Sequence, residues 1–340
     1  MESTSSLLSS GTTTLSVAQV RAVVETLQRR LRAAVRGRDE VIDLVLIALL
    51  ADGHVLLEDY PGSGKTTLAR ALGEAIVDDG PAERIAAFRR IQFTPDLLPS
   101  DITGTTIFDV ESHRFDFRPG PLFAHIVLAD EINRTSPKVQ SAMLEAMAEK
   151  QITVDNESHA LDELFFVVAT QNPLDLAGTY PLPTPQLDRF LFKVRMKHIE
   201  RQAELELLES YPKRSLELAA AEAPITRRQV LATRRVLRDQ VQVVPALRES
   251  LVDLARALRS DARVLQGAST RSLLLMLPAL QARALLEGRD HALPEDLAYL
   301  APYVFAHRIE CAPGPDSPEE VIQQCLKPQL ERLAKVSMQR

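Results

Sequence analysis

The sequence contains no tryptophan, and aromatic residues make up only 5% of its 340 positions. Proteins that bind single-stranded nucleic acid stack the bases on aromatic side chains, so this scarcity argues against such a role. The chain also lacks an excess of positive charge, because 40 basic and 46 acidic residues give a net charge of −6. No nucleic-acid partner is therefore expected, although the composition does not exclude a local basic groove.

Cysteine is scarce as well: the chain has only Cys311 and Cys325, fourteen positions apart. Without a closely spaced pair or a histidine cluster, these residues predict neither a zinc site nor a disulfide framework. Reduced thiols are typical of cytoplasmic proteins. The longest strongly apolar run, residues 44–51, is far shorter than the ~20 residues that span a bilayer, and the first residues do not resemble a signal peptide. We expect a cytoplasmic protein that reaches a membrane only through a partner.

The sequence does contain a regular alternation of short apolar runs and helical segments over residues 17–198. The β-rich runs are residues 54–57, 90–93, 126–129, 165–169 and 190–194. This alternation predicts an α/β core in which helices cover both faces of a five-stranded parallel sheet.

After residue 199 the apolar residues recur at helical spacing. The predicted helices are residues 200–209, 227–240, 246–259, 270–287 and 294–307. We therefore predict a disordered Ser/Thr-rich tail (1–16), an α/β core (17–198) and an all-α domain (199–340), with a weak connection at 210–224.

A glycine-containing loop follows the first predicted strand and leads into a helical segment at 68–77. The loop reads Asp59-Tyr60-Pro61-Gly62-Ser63-Gly64-Lys65-Thr66-Thr67. Strand, loop, Lys-Thr and helix in this order predict a phosphate-binding P-loop, with a chance loop as the alternative. Lys65 would hold the β- and γ-phosphates, and Thr66 would ligate Mg²⁺. Asp59 stands where the usual motif has glycine, but aspartate tolerates left-handed backbone angles better than most residues.

Two acidic residues end the third predicted strand. The apolar residues 125–129 lead directly into Asp130 and Glu131. The carboxyl ends of the strands in such a sheet face the P-loop, so these acids are expected beside it. We predict that Asp130 holds Mg²⁺ through water and that Glu131 polarises the attacking water. A polar strand end without function is the alternative.

Three further polar residues are candidates for catalysis. Asn172 follows the strand at 165–169 and would orient the same water, unless it is only a turn residue before proline. Arg189 precedes the fifth strand and would act as an arginine finger on the γ-phosphate of a neighbouring subunit; a structural ion pair is the alternative. Arg271 opens a helix and would be a second phosphate sensor, or else a solvated arginine at a helix start.

Taken together, these motifs resemble the MoxR family of AAA+ ATPases. The resemblance is close over residues 35–195 and recognisable to about residue 310. The motifs that carry it are GHVLLE with the P-loop (53–67), IQFTPDLLPSDITG (91–104), FRPGPLF (117–123), ADEINR (129–134), ATQNP (169–173) and YPLP (180–183). The Asp59 variant of the P-loop is also familiar within this family.

The resemblance implies an α/β P-loop NTPase core of sheet order 5-1-4-3-2, followed by a helical lid domain. It implies ATP and Mg²⁺ as cofactors, with Pro61, Gly62, Ser63, Gly64, Lys65, Thr66 and Thr67 around the nucleotide. It also implies a hairpin inserted within the second helix of the core (104–117) and a second hairpin at 151–162. Both would face a ring pore or a client, whereas the alternative is that both are ordinary surface loops.

The resemblance further implies a hexameric ring with ATP between neighbouring subunits. Such a motor would have chaperone-like activity and would remodel protein complexes with a von Willebrand factor A domain partner or another client protein. The alternatives are the motor subunit of a chelatase-like assembly, a motor acting on nucleic acid, and a nucleotide-gated scaffold without turnover. Arg134 is the competitor of Arg189 for the role of the trans-acting arginine.

Overall fold

The computed structural model describes residues 15–58, 63–79, 85–173, 178–210 and 224–338. Almost all of the predicted tail and of the predicted weak connection lies outside the described residues. Asp59, Tyr60, Pro61 and Gly62 of the P-loop also lie outside them.

The strands and helices of the described chain follow one another in an α/β order up to residue 195 and are mainly helical after it. The strands are β1 (Val55–Glu58), β2 (Ile76–Val77), β3 (Ala86–Gln92), β4 (Gly104–Asp109), β5 (Arg114–Pro119), β6 (Ala124–Asp130), β7 (Gln151–Val154), β8 (Glu157–Ala160), β9 (Phe166–Gln171), β10 (Phe192–Arg195), β11 (Ile225–Thr226), β12 (Val264–Gln266) and β13 (Glu310–Cys311). The helices are α1 (Val17–Ala34), α2 (Asp39–Leu50), α3 (Lys65–Ala75), α4 (Pro99–Thr103), α5 (Pro137–Glu149), α6 (Thr184–Leu187), α7 (Arg201–Ser210), α8 (Arg227–Gln240), α9 (Pro245–Ser260), α10 (Thr270–Leu286), α11 (Pro294–Phe305) and α12 (Pro318–Met338).

The central sheet has the order β10-β1-β9-β6-β3, and all of its neighbouring strands are parallel. In the order of the core strands along the chain this is 5-1-4-3-2, so the predicted topology is confirmed. The second core strand begins at Ala86, four residues before the predicted start, because pairing with β6 extends it. The exposed Arg89 and Arg90 on this edge strand interrupt the apolar run and hide its length in the sequence.

The sheet separates two apolar cores, because successive side chains of a strand point to opposite faces. On β6, Ile126 and Leu128 enter the larger core, which also contains the buried faces of α1, α2 and α3. Val127 and Ala129 enter the smaller core beneath α5. Strands covered on both faces are apolar throughout, and this is why the sequence shows continuous runs rather than alternation.

Both hairpins expected from the resemblance are present. β4 pairs with β5 in an antiparallel hairpin, and β7 pairs with β8 in the same way. The first hairpin does not interrupt a long helix, however. It follows the five-residue α4, and residues 120–123 lead from it directly into β6.

The predicted helices after residue 199 are confirmed, and α8 has the predicted bounds. Thr226 caps α8, because its hydroxyl accepts from the Gln229 amide while the Gln229 side chain accepts from the Thr226 amide. α8 and α10 pack against α1 and α2, so the larger core continues into the helical region. The last helix, α12, is a further helix of the region predicted to be all-α, and its internal Pro328 does not end it. None of the described helices is both long and apolar enough to cross a membrane.

A buried ion pair fastens α8 to the amino edge of the sheet. The Asp162 carboxylate lies 2.7 Å from Arg227 Nε and 3.3 Å from His125 Nδ1. Burial alone would raise the pKa of Asp162, but the adjacent His125 ring and hydrogen bonds from Arg227 and the Leu164 amide hold that pKa well below its usual value. The ionised form of Asp162 therefore stabilises the contact between the sheet and α8.

We expect Asp162→Asn to lower the free energy of unfolding by about 1–3 kcal/mol at pH 7, because it leaves the partly buried Arg227 without its charged partner. The lowered pKa means that this stabilisation is complete above the unfolded-state value of about 3.9 and is lost as the pH falls through the folded-state value. Urea unfolding of the unaltered protein and of Asp162→Asn should give free energies of unfolding whose difference persists at pH 5 and becomes smaller below about pH 4.

Asp79→Asn is the matched control for this experiment. Asp79 also joins the start of α8, but its partner Arg228 is 56% exposed and the separation is 3.8 Å. An exposed pair of this kind contributes about 1 kcal/mol or less. If the difference in the free energy of unfolding between Asp162→Asn and the unaltered protein stays the same from pH 7 to pH 3.5, the stabilising role of ionised Asp162 is contradicted.

Candidate functional site

The described part of the P-loop runs from Ser63 into the first turn of α3. Gly64 has φ 93° and is the residue before the helix. Only glycine adopts this left-handed conformation at little cost, and it turns the chain so that Lys65 and Thr66 begin α3. The first amides of a helix have no partners within it and attract anions. The local geometry thus presents the start of α3 as an anion-binding end.

Asp130 is held from two sides at the carboxyl end of β6. The Thr170 hydroxyl, on β9, donates to Asp130 Oδ1 at 2.6 Å. On β3, Arg90 Nη2 donates to Asp130 Oδ2, also at 2.6 Å. Asp130 is 8% exposed and Thr170 is fully buried. Sequence reasoning identified Asp130 but missed both partners, since they come from the two neighbouring strands.

Glu131 follows with a left-handed backbone, φ 59° and ψ 48°. For a residue other than glycine this conformation costs about 1–3 kcal/mol and is found mainly at functional sites. The Glu131 amide donates to Thr170 Oγ1 at 2.9 Å, which holds the turn. The Glu131 carboxylate accepts from Gln92 Nε2 at 3.0 Å and lies 3.3 Å from Arg134 Nε. Arg134 is therefore a partner of the acid in its own subunit.

Asn172 lies one residue beyond β9, at the same edge of the sheet. β9 is placed between β1 and β6, with Gln171 opposite Glu58 and Ala169 opposite Ala129. The ends of these three strands are therefore level with one another. The fold thus brings Lys65, Thr66, Asp130, Glu131 and Asn172 to one edge, as predicted from the order of their strands.

The structure brings Arg189 and Arg271 together around Asp188. Arg189 lies in the turn between α6 and β10, where its amide donates to the Gln186 carbonyl. Arg271, at the start of α10, places its Nε 3.8 Å from Oδ2 of Asp188. The structure therefore brings the predicted second sensor next to the loop of the predicted arginine finger, although 82 positions separate Arg189 and Arg271 in sequence.

A cavity of about 690 Å³ opens beside the end of β1. Its walls come from the turn before α2, the ends of β1 and β10, and α11. They include Gly37, Glu58, Lys193 and Tyr303. Burial tends to raise the pKa of Glu58, but its hydrogen bonds, first among them that from the Lys193 ammonium, hold this pKa below its usual value. In the sequence, Glu58 directly precedes the P-loop.

Comparisons with known proteins agree with this geometry. A family model described as "ATPase family associated with various cellular activities (AAA)" matches residues 54–192, and an AAA lid domain model matches residues 256–325. The chaperone MoxR1 of Mycobacterium tuberculosis is 36% identical over 331 residues, which cover 90% of this chain and 82% of MoxR1. The chain belongs to the MoxR family of AAA+ ATPases. The matched AAA region contains every predicted site residue except Arg271, which lies in the matched lid region.

Two further proteins are similar to this chain over most of its length. Protein YeaC of Bacillus subtilis is 46% identical over 277 residues, covering 82% of this chain and 83% of YeaC. The crystal structure of a candidate ATPase from Cytophaga hutchinsonii has a TM-score of 0.82 and 33% sequence identity, covering 92% of this chain and 95% of that one. The predicted AAA+ core followed by a helical lid is therefore confirmed for this MoxR-family protein.

Proposed function

We propose that this protein is an ATPase that binds ATP at the edge formed by α3, β6 and β9 and hydrolyses it with Glu131 as the general base. The observation that carries the proposal is the arrangement of Asp130 and Glu131. Hydrogen bonds from β3 and β9 hold both acids in place, and they lie at the same edge as the anion-binding start of α3.

Mg²⁺ fits the residues at this edge. It prefers oxygen ligands and keeps several waters and phosphate oxygens, so one or two protein groups are enough to hold it. The described residues contain no cluster of three or more His, Cys, Asp or Glu side chains that would form a dedicated metal cage. Thr66 and Asp130 would hold Mg²⁺ here. Asp130 Oδ2 accepts two hydrogen bonds from Arg90, whereas Oδ1 accepts one from Thr170 and keeps capacity for another, so Oδ1 can also accept from a metal-bound water.

Side chains and backbone amides of the protein would bind the phosphates, take up the proton and orient the water. Lys65 and the first amides of α3 would bind the phosphates. Glu131 would take a proton from the attacking water, and for this its carboxylate has to turn from Gln92 toward the water. Asn172 would orient that water. The cavity beside Glu58 would receive the base and ribose, because Glu58 in its wall directly precedes the P-loop in the sequence and the cavity has room for a group of that size.

We further propose that the active assembly is a hexameric ring with a shared ATP site. Arg189 and Arg271 would face the γ-phosphate bound to the neighbouring subunit. Support comes from their common location, since Asp188 contacts Arg271 and immediately precedes Arg189. Both side chains are only partly buried, which leaves them accessible to a neighbour.

The proposed biological role is the remodelling of protein complexes, together with a von Willebrand factor A domain partner. The β4–β5 hairpin supports a protein client. Its rings Phe108 and Phe115 pack together at 5.1 Å and are 47% and 74% exposed. Exposed apolar side chains of this kind suit a protein surface better than a phosphate backbone. This observation favours a protein client over the nucleic-acid alternative.

Lys65→Ala tests the phosphate site. We expect ATP affinity to fall by about 10- to 100-fold, the effect of losing a hydrogen bond between charged groups. Calorimetric titration with ATP and Mg²⁺ would measure it. Arg70→Ala is the control, because it removes an exposed positive charge from the same helix. Equal ATP affinity of Lys65→Ala and the unaltered protein would reject the proposed site.

A further inference from the structure

The junction between the helical region and the core is built around Arg308. Its side chain is 4% exposed, and Nε donates to Asp188 Oδ1 at 2.7 Å. The same guanidinium donates to the backbone carbonyls of Asp188, Phe190 and Leu191. A buried guanidinium requires this complete set of acceptors. Arg308 therefore holds the whole turn that leads from α6 into β10.

Asp188 is the centre of this junction. Its Oδ1 accepts from Arg308, while its Oδ2 lies 3.8 Å from Arg271 Nε. The next residue in the chain is Arg189, and a trans peptide fixes consecutive Cα atoms 3.8 Å apart. Any displacement of Asp188 therefore moves Arg189 and releases Arg271 at the same time.

The residue before Arg308 connects the junction to the cavity beside Glu58. His307 lines that cavity, and its Nε2 lies 3.1 Å from the Phe190 carbonyl oxygen. Burial and the neighbouring charge of Arg308 keep the pKa of His307 well below its usual value, so the ring is neutral and donates through Nε2. His307 thus touches the cavity, and both His307 and Arg308 contact the turn that leads from α6 into β10.

We infer that Asp188 is the positioning residue for the trans-acting arginines: with Arg308 it holds Arg189 and Arg271 as one unit on the face presented to the next subunit. The inference rests on the proposed shared ATP site. Without the carboxylate, Arg308 and Arg271 would lie near each other and near Arg189 with no opposite charge between them. Their mutual repulsion would then move both arginines away from the neighbour's phosphate.

Asp188→Asn is the direct test. We expect kcat to fall by about 10- to 100-fold, the scale of a small misplacement of catalytic groups, with KM for ATP within a factor of about two. When Asp188→Asn is mixed with Lys65→Ala, activity should return, because Lys65→Ala subunits carry intact arginines and Asp188→Asn subunits carry intact P-loops. Asp188→Glu keeps the charge and should retain more activity than Asp188→Asn.

Asp296→Asn is the matched control. Asp296 is 2% exposed and accepts from both Nη atoms of Arg289, at 2.8 and 2.6 Å, within the helical region. The Asp296→Asn variant should have a lower melting temperature than the unaltered protein and the same kcat. If Asp188→Asn does not fold, Asp188→Glu decides by itself, because its extra methylene moves the carboxylate although the charge is kept: a kcat below that of the unaltered protein at unchanged KM supports the inference, and an unaltered kcat overturns it.

Three outcomes overturn the inference. They are an unaltered kcat for Asp188→Asn, a loss that lies mainly in KM, and no recovery on mixing despite demonstrated co-assembly. Parallel mixing of Arg189→Ala with Lys65→Ala separates this failure from that of the proposed function. If activity recovers when Arg189→Ala is mixed with Lys65→Ala but not when Asp188→Asn is mixed with it, only the role of Asp188 is rejected. If activity recovers in neither mixture, the shared site itself is rejected.

Discussion

Glu131→Gln is expected to slow ATP hydrolysis by about 10²- to 10⁴-fold while ATP binding is retained, since this is the usual effect of removing a general base. Glutamine has nearly the same shape as glutamate but cannot take up the proton of the attacking water. The hydrogen bond to Gln92 and the left-handed backbone at this position can both be kept. The loss should therefore appear in kcat and hardly in affinity. Phosphate release and calorimetric ATP titration measure the two quantities separately.

Glu145→Gln is the control for this prediction. It removes one carboxylate from the exposed face of α5, away from the edge that carries Asp130 and Glu131. Its turnover should equal that of the unaltered protein. Turnover of Glu131→Gln within a factor of a few of the unaltered enzyme would show that another group acts as the base.

The same variant also tests the proposed partner. A motor couples to its client only if it binds the client differently in its nucleotide states. Glu131→Gln should remain in the ATP state, so as bait with ATP and Mg²⁺ it should retain a von Willebrand factor A domain protein that Lys65→Ala does not. Retention of a chelatase-like protein or of nucleic acid would instead support one of the two alternative motors. Equal recovery with both baits would contradict a nucleotide-gated partner.

Arg189→Ala is expected to reduce hydrolysis by about 10³-fold or more, the magnitude typical of an arginine finger. The variant keeps its own P-loop and acids, so its ATP affinity should be close to normal. In an equal mixture with Lys65→Ala, a working site needs the P-loop of one variant and the arginine of the other. In a randomly mixed head-to-tail ring about one quarter of the sites satisfy this condition. Activity of the mixture should therefore rise well above that of either protein alone.

Arg134→Ala serves as the comparison for Arg189→Ala. Arg134 contacts Glu131 of its own subunit, so its loss should weaken hydrolysis without recovery on mixing with Lys65→Ala. Recovery with Arg134→Ala and none with Arg189→Ala would assign the trans-acting role to Arg134.

Features that depend on neighbouring residues in the chain were predicted well. The five core strands are continuous apolar runs because helices cover both faces of the sheet. The P-loop, Asp130 with Glu131, and Asn172 each follow such a run, and parallel strands place their carboxyl ends at one edge. Bounds were less accurate where local and tertiary preferences disagree, as at β3, whose exposed arginines interrupt the apolar run and hide the first four residues of the strand.

The sequence by itself determined the α/β core and the order of its motifs, and through the resemblance that these motifs carry it also predicted the family and the order of the strands in the sheet. Only the tertiary structure decided how their side chains are held. Arg90 reaches Asp130 across 40 positions, and Arg308 reaches Asp188 across 120. Pairings at such separations leave no periodic or local pattern in the chain, because each depends on where two packed elements come to lie. This is the physical reason why Arg271 appeared in the sequence as an isolated helix-start arginine, whereas the fold places it beside the turn of Arg189.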